Sequence, residues 1–370
     1  MSTPLIAELP PFVVVEGDAR ARGLGYGRAV GAAVRRLLAE DLAHINRVRR
    51  QPMAPSEARA IARDFAPAIA SGVPDVWAAL EGFALGAGLE LEDALILQLR
   101  RELIGWGTEC SLIAFRDEER ACVVQTVDLP GDLAGWGHVV LERGDPQGAP
   151  DMLYWTVAGL LGFLGLNAQG LAIGINMVVS GGWRVGVPPY LIIRHLLGRA
   201  DVTSALAELE RVPRASSRAY TLVDTRRLVT AETTPDRVVT LEDAVLTHAN
   251  HYQHPELTPV DRLPPTSTSH LRSARLEQLV AATGGRLTAD TVAGWLADHD
   301  GAPASICAHD KGAAFGRTIA GVVLEPALGR LRVAFGNPCA QPYQSFLLKE
   351  APSTVPDSPH SSGRAPPCVA

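Results

Sequence analysis

Three observations along this sequence predict a layered α+β fold built on antiparallel sheets. Apolar residues recur at three- and four-residue steps through the first 109 positions, as on helices with one buried face. Beyond Cys110 the period falls to near two, over many short apolar segments in hairpin-like pairs. The later helical segments are grouped between those strands instead of alternating with them one by one, which separates this pattern from a parallel βαβ fold.

Val13-Val14-Val15 is a short β-branched run ended by Gly17. From Arg22 to about Arg49, Val30, Val34, Leu37, Leu38, Leu42 and Ile45 mark one helical face, with Arg35, Arg36, Glu40 and Asp41 off it. Pro52 and Pro55 punctuate, and Ser56 is the expected N-cap of a second helix. A third helix runs from Pro74 through Val76, Leu80 and Phe83 to a turn near Gly86-Ala87-Gly88, and a fourth from about Glu92 to Glu102. Strands are expected at Leu112–Phe115, Ala121–Thr126, His138–Glu142, Leu153–Val157, Leu171–Met177, Tyr220–Asp224, Leu228–Thr233, Val238–Leu241, Ile319–Leu324 and Arg330–Phe335. Helices are expected at Tyr190–Leu197, Val202–Glu210, His270–Ala282 and Ala289–Ala297. The Pro/Thr-rich stretch 253–268 reads as a loop, and the Pro/Ser-rich stretch 351–370 as a disordered tail. The chain therefore divides into a mostly helical part, 1–109, a sheet-based part, 110–350, and the tail.

A composition that is 47% hydrophobic and 20% charged is that of a globular protein, and a net charge of -6 argues against nucleic acid or an anionic membrane as partner. No apolar run reaches a membrane span, because the longest, near Leu160 and Ile173, are broken by Gly and Asn. The N-terminus lacks a basic segment and an apolar signal-like core, and five scattered cysteines suit reduced thiols. A cytoplasmic protein is expected; its oligomeric state is left open.

Where the helical part gives way to strands stands Gly107-Thr108-Glu109-Cys110-Ser111-Leu112. A cysteine opening a strand at such a boundary is a candidate cut site. Breaking the Glu109–Cys110 bond would place a thiol and a free α-amine on one residue. An α-amine has a pKa of about 7.7–8.0, against about 10.4 for lysine, so part of it is unprotonated near neutral pH and can act as base. Asp128, Asn250 and Arg317 complete a set of thiol, carboxylate, amide and guanidinium suited to acyl transfer, and Asn176 is a further polar candidate.

Gly23-Leu24-Gly25-Tyr26-Gly27 has the wrong spacing for a dinucleotide fingerprint and reads as helix close-packing. Cys307-x-His309 with Asp310, and His248-x-x-His251 with His254, are fragments of metal sites without a second ligand pair at zinc spacing. No metal and no cofactor are expected, and Cys122, Cys339 and Cys368 are given no function.

With these residues in view, the sequence resembles the acyl-coenzyme A:6-aminopenicillanic acid acyltransferases and their bacterial relatives (peptidase family C45), among the N-terminal-nucleophile hydrolases. Residues 81–88 with Arg100-Arg101-Glu102-Leu103 are similar to the family's Gly-Ile-Ala-Glu-Gly-Ala-Gly region and Arg-x-Glu-Leu. Cys110-Ser111 resembles its cleavage-site Cys-Thr or Cys-Ser, and Gly165-Leu166-Asn167-Ala168-Gln169-Gly170-Leu171 its Gly-x-Asn-x-x-Gly-Leu hairpin. Thr247-His248-Ala249-Asn250-His251, Ser305-Ile306-Cys307-Ala308-His309 and Gly336-Asn337-Pro338-Cys339 also have similar counterparts there.

The resemblance implies a four-layer αββα fold made as an inactive zymogen that cleaves itself before Cys110, leaving chains 1–109 and 110–370 associated. It implies Cys110 as nucleophile, Asp128 as holder of the freed ammonium, Asn250 as oxyanion donor and Arg317 as electrostatic organiser, with Asn176 and Ser111 as candidate substrate or oxyanion contacts. An acyl-cysteine would pass its acyl group to a small amine or to water, with acyl-CoA or another thioester admitted as donor. Glu109 departs from the Gly common before the nucleophile, Ser111 from the commoner Thr, and Gly316 from a hydroxyl residue. An unprocessed Cys-His-Asn hydrolase with His248 or His251 as base, and a non-catalytic binding protein on the same fold, are the alternatives.

Overall fold

A computed structural model describes residues 9–104, 109–129, 133–145, 148–284, 286–309 and 316–349. Residues 105–108, Asp310, Cys368 and the stretch 351–370 lie outside the described residues. No described helix is long and apolar enough to cross a membrane.

The fourteen strands named here form two sheets. β1 (Phe12–Val15), β4 (Gly137–Glu142), β5 (Met152–Val157), β6 (Leu164–Asn167), β7 (Ala172–Asn176), β8 (Arg218–Val223), β9 (Leu228–Thr233) and β10 (Val238–Glu242) lie side by side in that order. Among these named strands of the described residues, only β1 and β4 pair in parallel. The second sheet runs β11 (Val245–His248), β2 (Leu112–Arg116), β3 (Ala121–Leu129), β12 (Arg317–Glu325), β13 (Arg330–Phe335) and β14 (Gln344–Leu347).

The sheets stack face to face. A Cβ on Gly174 of β7 would meet Leu112 Cδ1 at 2.5 Å and Val123 Cγ1 at 2.9 Å, so a glycine is required where the layers touch. On the outer face of the six-stranded sheet, Ile113, Phe115, Cys122, Val124 and Val323 pack on α9 (Ser269–Thr283) and α10 (Ala289–Trp295). The other outer face carries α1 (Ala19–Ala39), α4 (Pro74–Ala87), α7 (Pro189–Leu197) and α8 (Val202–Arg211). There Glu142 of β4 is buried between Arg194 of α7 and Arg22 of α1 and accepts from the Tyr154 hydroxyl. The layer order is αββα, as expected.

The expected strands are present, with small shifts of boundary. The β6, β11 and β14 strands, of four residues each, are too short for a period to register in the sequence. The long first helix is corrected: it stops at Ala39, and Asp41, Leu42, Ala43 and His44 all have positive φ of 51–63°. Left-handed residues cost about 1–2 kcal/mol each. Burial of Leu42, Ala43 and Ile45, and the bond from Arg100 Nε to Ala43 O, offset that cost. Ser56 does not cap: α3 (Pro55–Gly72) starts with Pro55 in its first turn, where the missing N–H is not needed. The expected 92–102 helix is two, α5 (Leu91–Gln98) and α6 (Arg100–Ile104), broken at Leu99.

The glycine run does what close packing requires. A Cβ on Gly27 would lie 2.3 Å from Phe83 O, and one on Gly82 2.0 Å from Arg20 O, so α1 and α4 touch backbone to backbone. Neither contact can relax by moving a side chain. Gly82→Ala should therefore cost about 3 kcal/mol, at the upper end of overpacking, read as a lower urea midpoint.

Candidate active site

Cys110 sits at the edge of the six-stranded sheet, two residues before β2, with 4% of its surface exposed. The strand alternation turns Gln125, Val127 and Leu129 of β3 toward the facing sheet, and Thr126 and Asp128 toward α9. Both backbone ends of the Glu109–Cys110 bond are held. Glu109 O accepts from the Asp128 N–H at 3.1 Å, and the Cys110 N–H donates to Asn250 Oδ1 at 2.9 Å. Beyond them, Cys110 O accepts from Arg272 Nη1 at 2.6 Å and from Asn176 Nδ2 at 3.4 Å.

Four of the expected residues thus converge: Cys110, Asp128, Asn250 and Asn176. Ser111 joins them through its hydroxyl, which accepts from Arg272 at 2.9 Å. Two roles differ in the uncut chain from those implied. Asn250 presents its carbonyl oxygen to Cys110, while its Nδ2 donates to Met177 O at 3.0 Å, so it is an acceptor here and not an oxyanion donor. The Asp128 carboxylate accepts from Thr318 Oγ1 at 2.7 Å on the helix side of β3, and it is Asn250 that meets the Cys110 nitrogen.

Arg317 is not brought to Cys110. It pairs with Leu129 in the β3–β12 ladder, and strand alternation sends it to the face opposite Thr318, into a separate cavity of about 280 Å³ with Ala134, Phe335 and Asn337. The organising cation is Arg272 of α9, which the sequence reading missed. Its fully buried guanidinium touches Cys110 O, Ser111 Oγ, Asn250 Oδ1 (2.9 Å), Thr268 Oγ1 (3.0 Å) and Glu109 Oε2 (3.3 Å). Only the fold shows that its stripe Ser269, Arg272, Ser273, Leu276 is buried, so the sequence carried no clear signal for it. Gln125 was missed as well: it bonds both the N–H and the C=O of Ile175 and so ties the sheets beside the thiol.

Burial, reinforced by the Asp128 carboxylate, pushes the Cys110 thiol up to about 12; the Asp128 N–H, Gln125 and Arg272 pull weakly the other way. In the uncut chain the sulfur is therefore a neutral thiol. Burial would raise the Glu109 carboxyl, but Arg272, Ser267 and Thr268 outweigh it and hold the group below its usual value. Hydroxyls of Ser267 (2.6 Å) and Thr268 (2.7 Å) and the Thr268 N–H (3.0 Å) fix its two oxygens. Because the folded value lies below the unfolded one of about 4.3, this carboxylate contributes stability that is present above that pH and lost as pH falls through the folded value. In an uncut Cys110→Ala background, Glu109→Gln should lower the urea midpoint at pH 7, with the difference closing below about pH 4.

Neither candidate histidine faces the thiol. His248 directs Nε2 to Glu232 at 3.0 Å and Nδ1 to Ala249 O at 2.8 Å, and His251 directs Nδ1 to Ser269 Oγ at 2.7 Å. The crevice at Cys110, about 20 Å³ and lined by Arg101, Phe163, Ile175, Met177, Tyr190 and Arg218, has room for one water. Arg101, Met177 and Arg218 also line a neighbouring cavity of about 380 Å³ that includes Arg49, Arg262 and Trp183. Away from this site, Cys307 and His309 are joined by His299 and Cys339, the second ligand pair that the sequence reading did not find.

Residues 145–340, just over half of the chain, match the family described as acyl-coenzyme A:6-aminopenicillanic acid acyl-transferase. The chain is 25% identical over 283 residues to the 40 kDa form of acyl-coenzyme A:6-aminopenicillanic-acid-acyltransferase from Emericella nidulans, a span of 72% of this chain and 76% of that protein. Among solved structures it is similar to penicillin V acylase from Agrobacterium tumefaciens, with a TM-score of 0.43 and 12% identity over 61% of this chain and 82% of that one. It is also similar to a variant of conjugated bile acid hydrolase from Clostridium perfringens, with a TM-score of 0.38 and 8% identity over 66% of this chain and 99% of that one. With the family match spanning this much of it, the chain belongs to the acyl-coenzyme A:6-aminopenicillanic acid acyl-transferase family.

Proposed function

We propose that this acyltransferase/amidohydrolase cuts its own Glu109–Cys110 bond and then uses Cys110 as the nucleophile for acyl transfer. The observation that carries the reading is the grip on that one peptide bond. The Asp128 N–H lies on its carbonyl oxygen, where negative charge develops, and Asn250 Oδ1 lies on its nitrogen.

In the first step Cys110 Sγ adds to the Glu109 carbonyl carbon, and the oxyanion forms on the Asp128 N–H. The C–N bond then breaks, the thiol proton goes to the departing nitrogen, and Glu109 is left as a thioester on Cys110. Water hydrolyses the thioester to the Glu109 α-carboxylate and a free thiol. The new amine stays within reach of Asn250 Oδ1 and serves as base at about neutral pH. The Asp128 carboxylate, bonded to Thr318, favours its charged form through space. Fragments 1–109 and 110–370 remain together through the β1–β4 pairing and a core drawn from both.

In turnover the sulfur attacks a small-molecule acyl donor, amide or thioester, and the leaving amine or thiol takes a proton from the α-ammonium. The acyl-cysteine then passes to an amine or to water. The cavity beside the crevice supports substrates bearing an anion: Arg49, Arg101, Arg218 and Arg262 line it, with Glu102 as the one acid among the described lining residues, paired to Arg218 at 3.3 Å. Free thiols at Cys110, Cys122, Cys307 and Cys339 suit a reducing compartment such as the cytoplasm.

Acid-quenching the enzyme with a carboxylate-bearing N-acyl substrate should leave the acyl mass on the peptide beginning at Cys110. An adduct elsewhere, or none during measurable turnover, would contradict the assignment.

A further inference from the structure

Among the described residues, one group of His and Cys side chains that could hold a metal ion lies where the loop after α10 meets the turn after β13. We propose that His299, Cys307, His309 and Cys339 form a structural zinc site of two thiolates and two imidazoles. Each offers one ligand atom, and all four atoms lie within 4.8 Å of one another.

Three edges between the ligand atoms are close to those of a tetrahedron around one ion, and the fourth, between the nitrogens, is shorter. Metal–sulfur bonds of about 2.3 Å and metal–nitrogen bonds of about 2.0–2.1 Å require edges of about 3.8 Å between sulfurs, about 3.6 Å from sulfur to nitrogen and about 3.3 Å between nitrogens. Here Cys307 Sγ and Cys339 Sγ are 3.7 Å apart, and His309 Nε2 lies 3.5 Å from Cys339 Sγ and 3.9 Å from Cys307 Sγ. The His299 and His309 Nε2 atoms are 2.9 Å apart. A disulfide would need its sulfurs at about 2.05 Å, far inside the observed separation. Two thiolates with two imidazoles select zinc over magnesium or calcium, and four protein ligands leave no open position, which makes the site structural.

An outer partner is present too. Asn337 Nδ2 donates to Cys307 Sγ at 3.5 Å and to Ala308 O at 2.9 Å, fixing the thiolate as second-layer groups do in metal sites. The loop is held by the Cys307 N–H on Asp298 O at 2.9 Å and by the Ser305 hydroxyl on Cys307 O at 2.8 Å. Ion binding would staple residues 299–309 to the turn after β13. Between them lies the start of β12, where Thr318 bonds both Ala308 and Asp128. The site stands on its own geometry and does not depend on the reading of Cys110.

The test uses the full chain, reduced and stripped with a chelator, then titrated with Co²⁺ and afterwards with Zn²⁺. One cobalt per chain should bind with the visible bands of a tetrahedral ion and a thiolate charge-transfer band, and zinc should bleach both. Cys339→Ser and His299→Ala should each weaken binding at least about 100-fold, and Asn337→Ala about 10- to 100-fold. Cys122→Ala should leave it unchanged. His299 is exposed, so its variant separates loss of a ligand from loss of fold. The proposal is overturned by a cobalt spectrum that is not tetrahedral, by binding that survives both ligand variants, or by a Cys307–Cys339 disulfide in the reduced preparation.

Discussion

Replacing Cys110 by alanine is expected to leave the chain whole and to lower turnover at least about 1,000-fold, because one atom serves both reactions. In the proposed scheme the sulfur is the nucleophile toward Glu109 in processing and toward the acyl donor afterwards. Alanine removes it without disturbing the backbone bonds that hold the site, since the Cys110 N–H and C=O make those contacts. Stability should therefore change little, which separates lost chemistry from lost fold. Cys110→Ser keeps a nucleophilic oxygen in the same place and should cut slowly, over hours, as read by gel and mass. Turnover that persists in Cys110→Ala would assign the chemistry to another residue.

Arg272→Met is expected to be the most damaging change away from the nucleophile. The guanidinium is fully buried and neutralises Glu109, while donating to Cys110 O, Ser111 Oγ and Asn250 Oδ1. Breaking a buried pair by removing one partner leaves the other charge uncompensated, at a cost of about 3–5 kcal/mol. Adding Glu109→Gln to Arg272→Met should recover part of that loss in urea unfolding at pH 7, although Glu109→Gln alone destabilises. The sign reversal is the signature of coupling through the pair. Processing should slow about 100-fold in Arg272→Met, because Asn250 loses the donor that aims its oxygen at Cys110. An additive cycle would mean that the two charges do not interact.

Most of the architecture could be read from the sequence because its period changes are written in apolar side chains. The β3 strand is buried along its whole length, and both of its faces pack, one on the other sheet and one on α9 and α10. Its run Ala121-Cys122-Val123-Val124 is thus legible as a strand without strict alternation. The β6, β11 and β14 strands were not legible, and neither was the left-handed stretch Asp41–His44, which no glycine announces.

In the site, Cys110 could be found from its place at a composition boundary, and Asp128 and Asn250 from the chemistry of their residue types. Arg272 could not, because an arginine in a helix ordinarily reads as solvent-facing and only packing reveals the buried acceptors around it. Arg317 shows the converse, a plausible cation that its place on β12 puts in a different cavity from the thiol. His299 was not singled out and Cys339 was given no function, because forty residues and the β12–β13 hairpin separate them, and only the sheet brings them together.

The central claim is that the Glu109–Cys110 bond breaks by the protein's own chemistry. The direct measurement is the intact mass of the purified wild-type chain, with the N-terminal residue of the larger fragment identified. The account predicts two masses, about 12 and about 28 kDa in proportion to chain length, whose sum exceeds the uncut chain by one water, with Cys110 leading the larger. A fully active protein that remains one chain of 370 residues would contradict it.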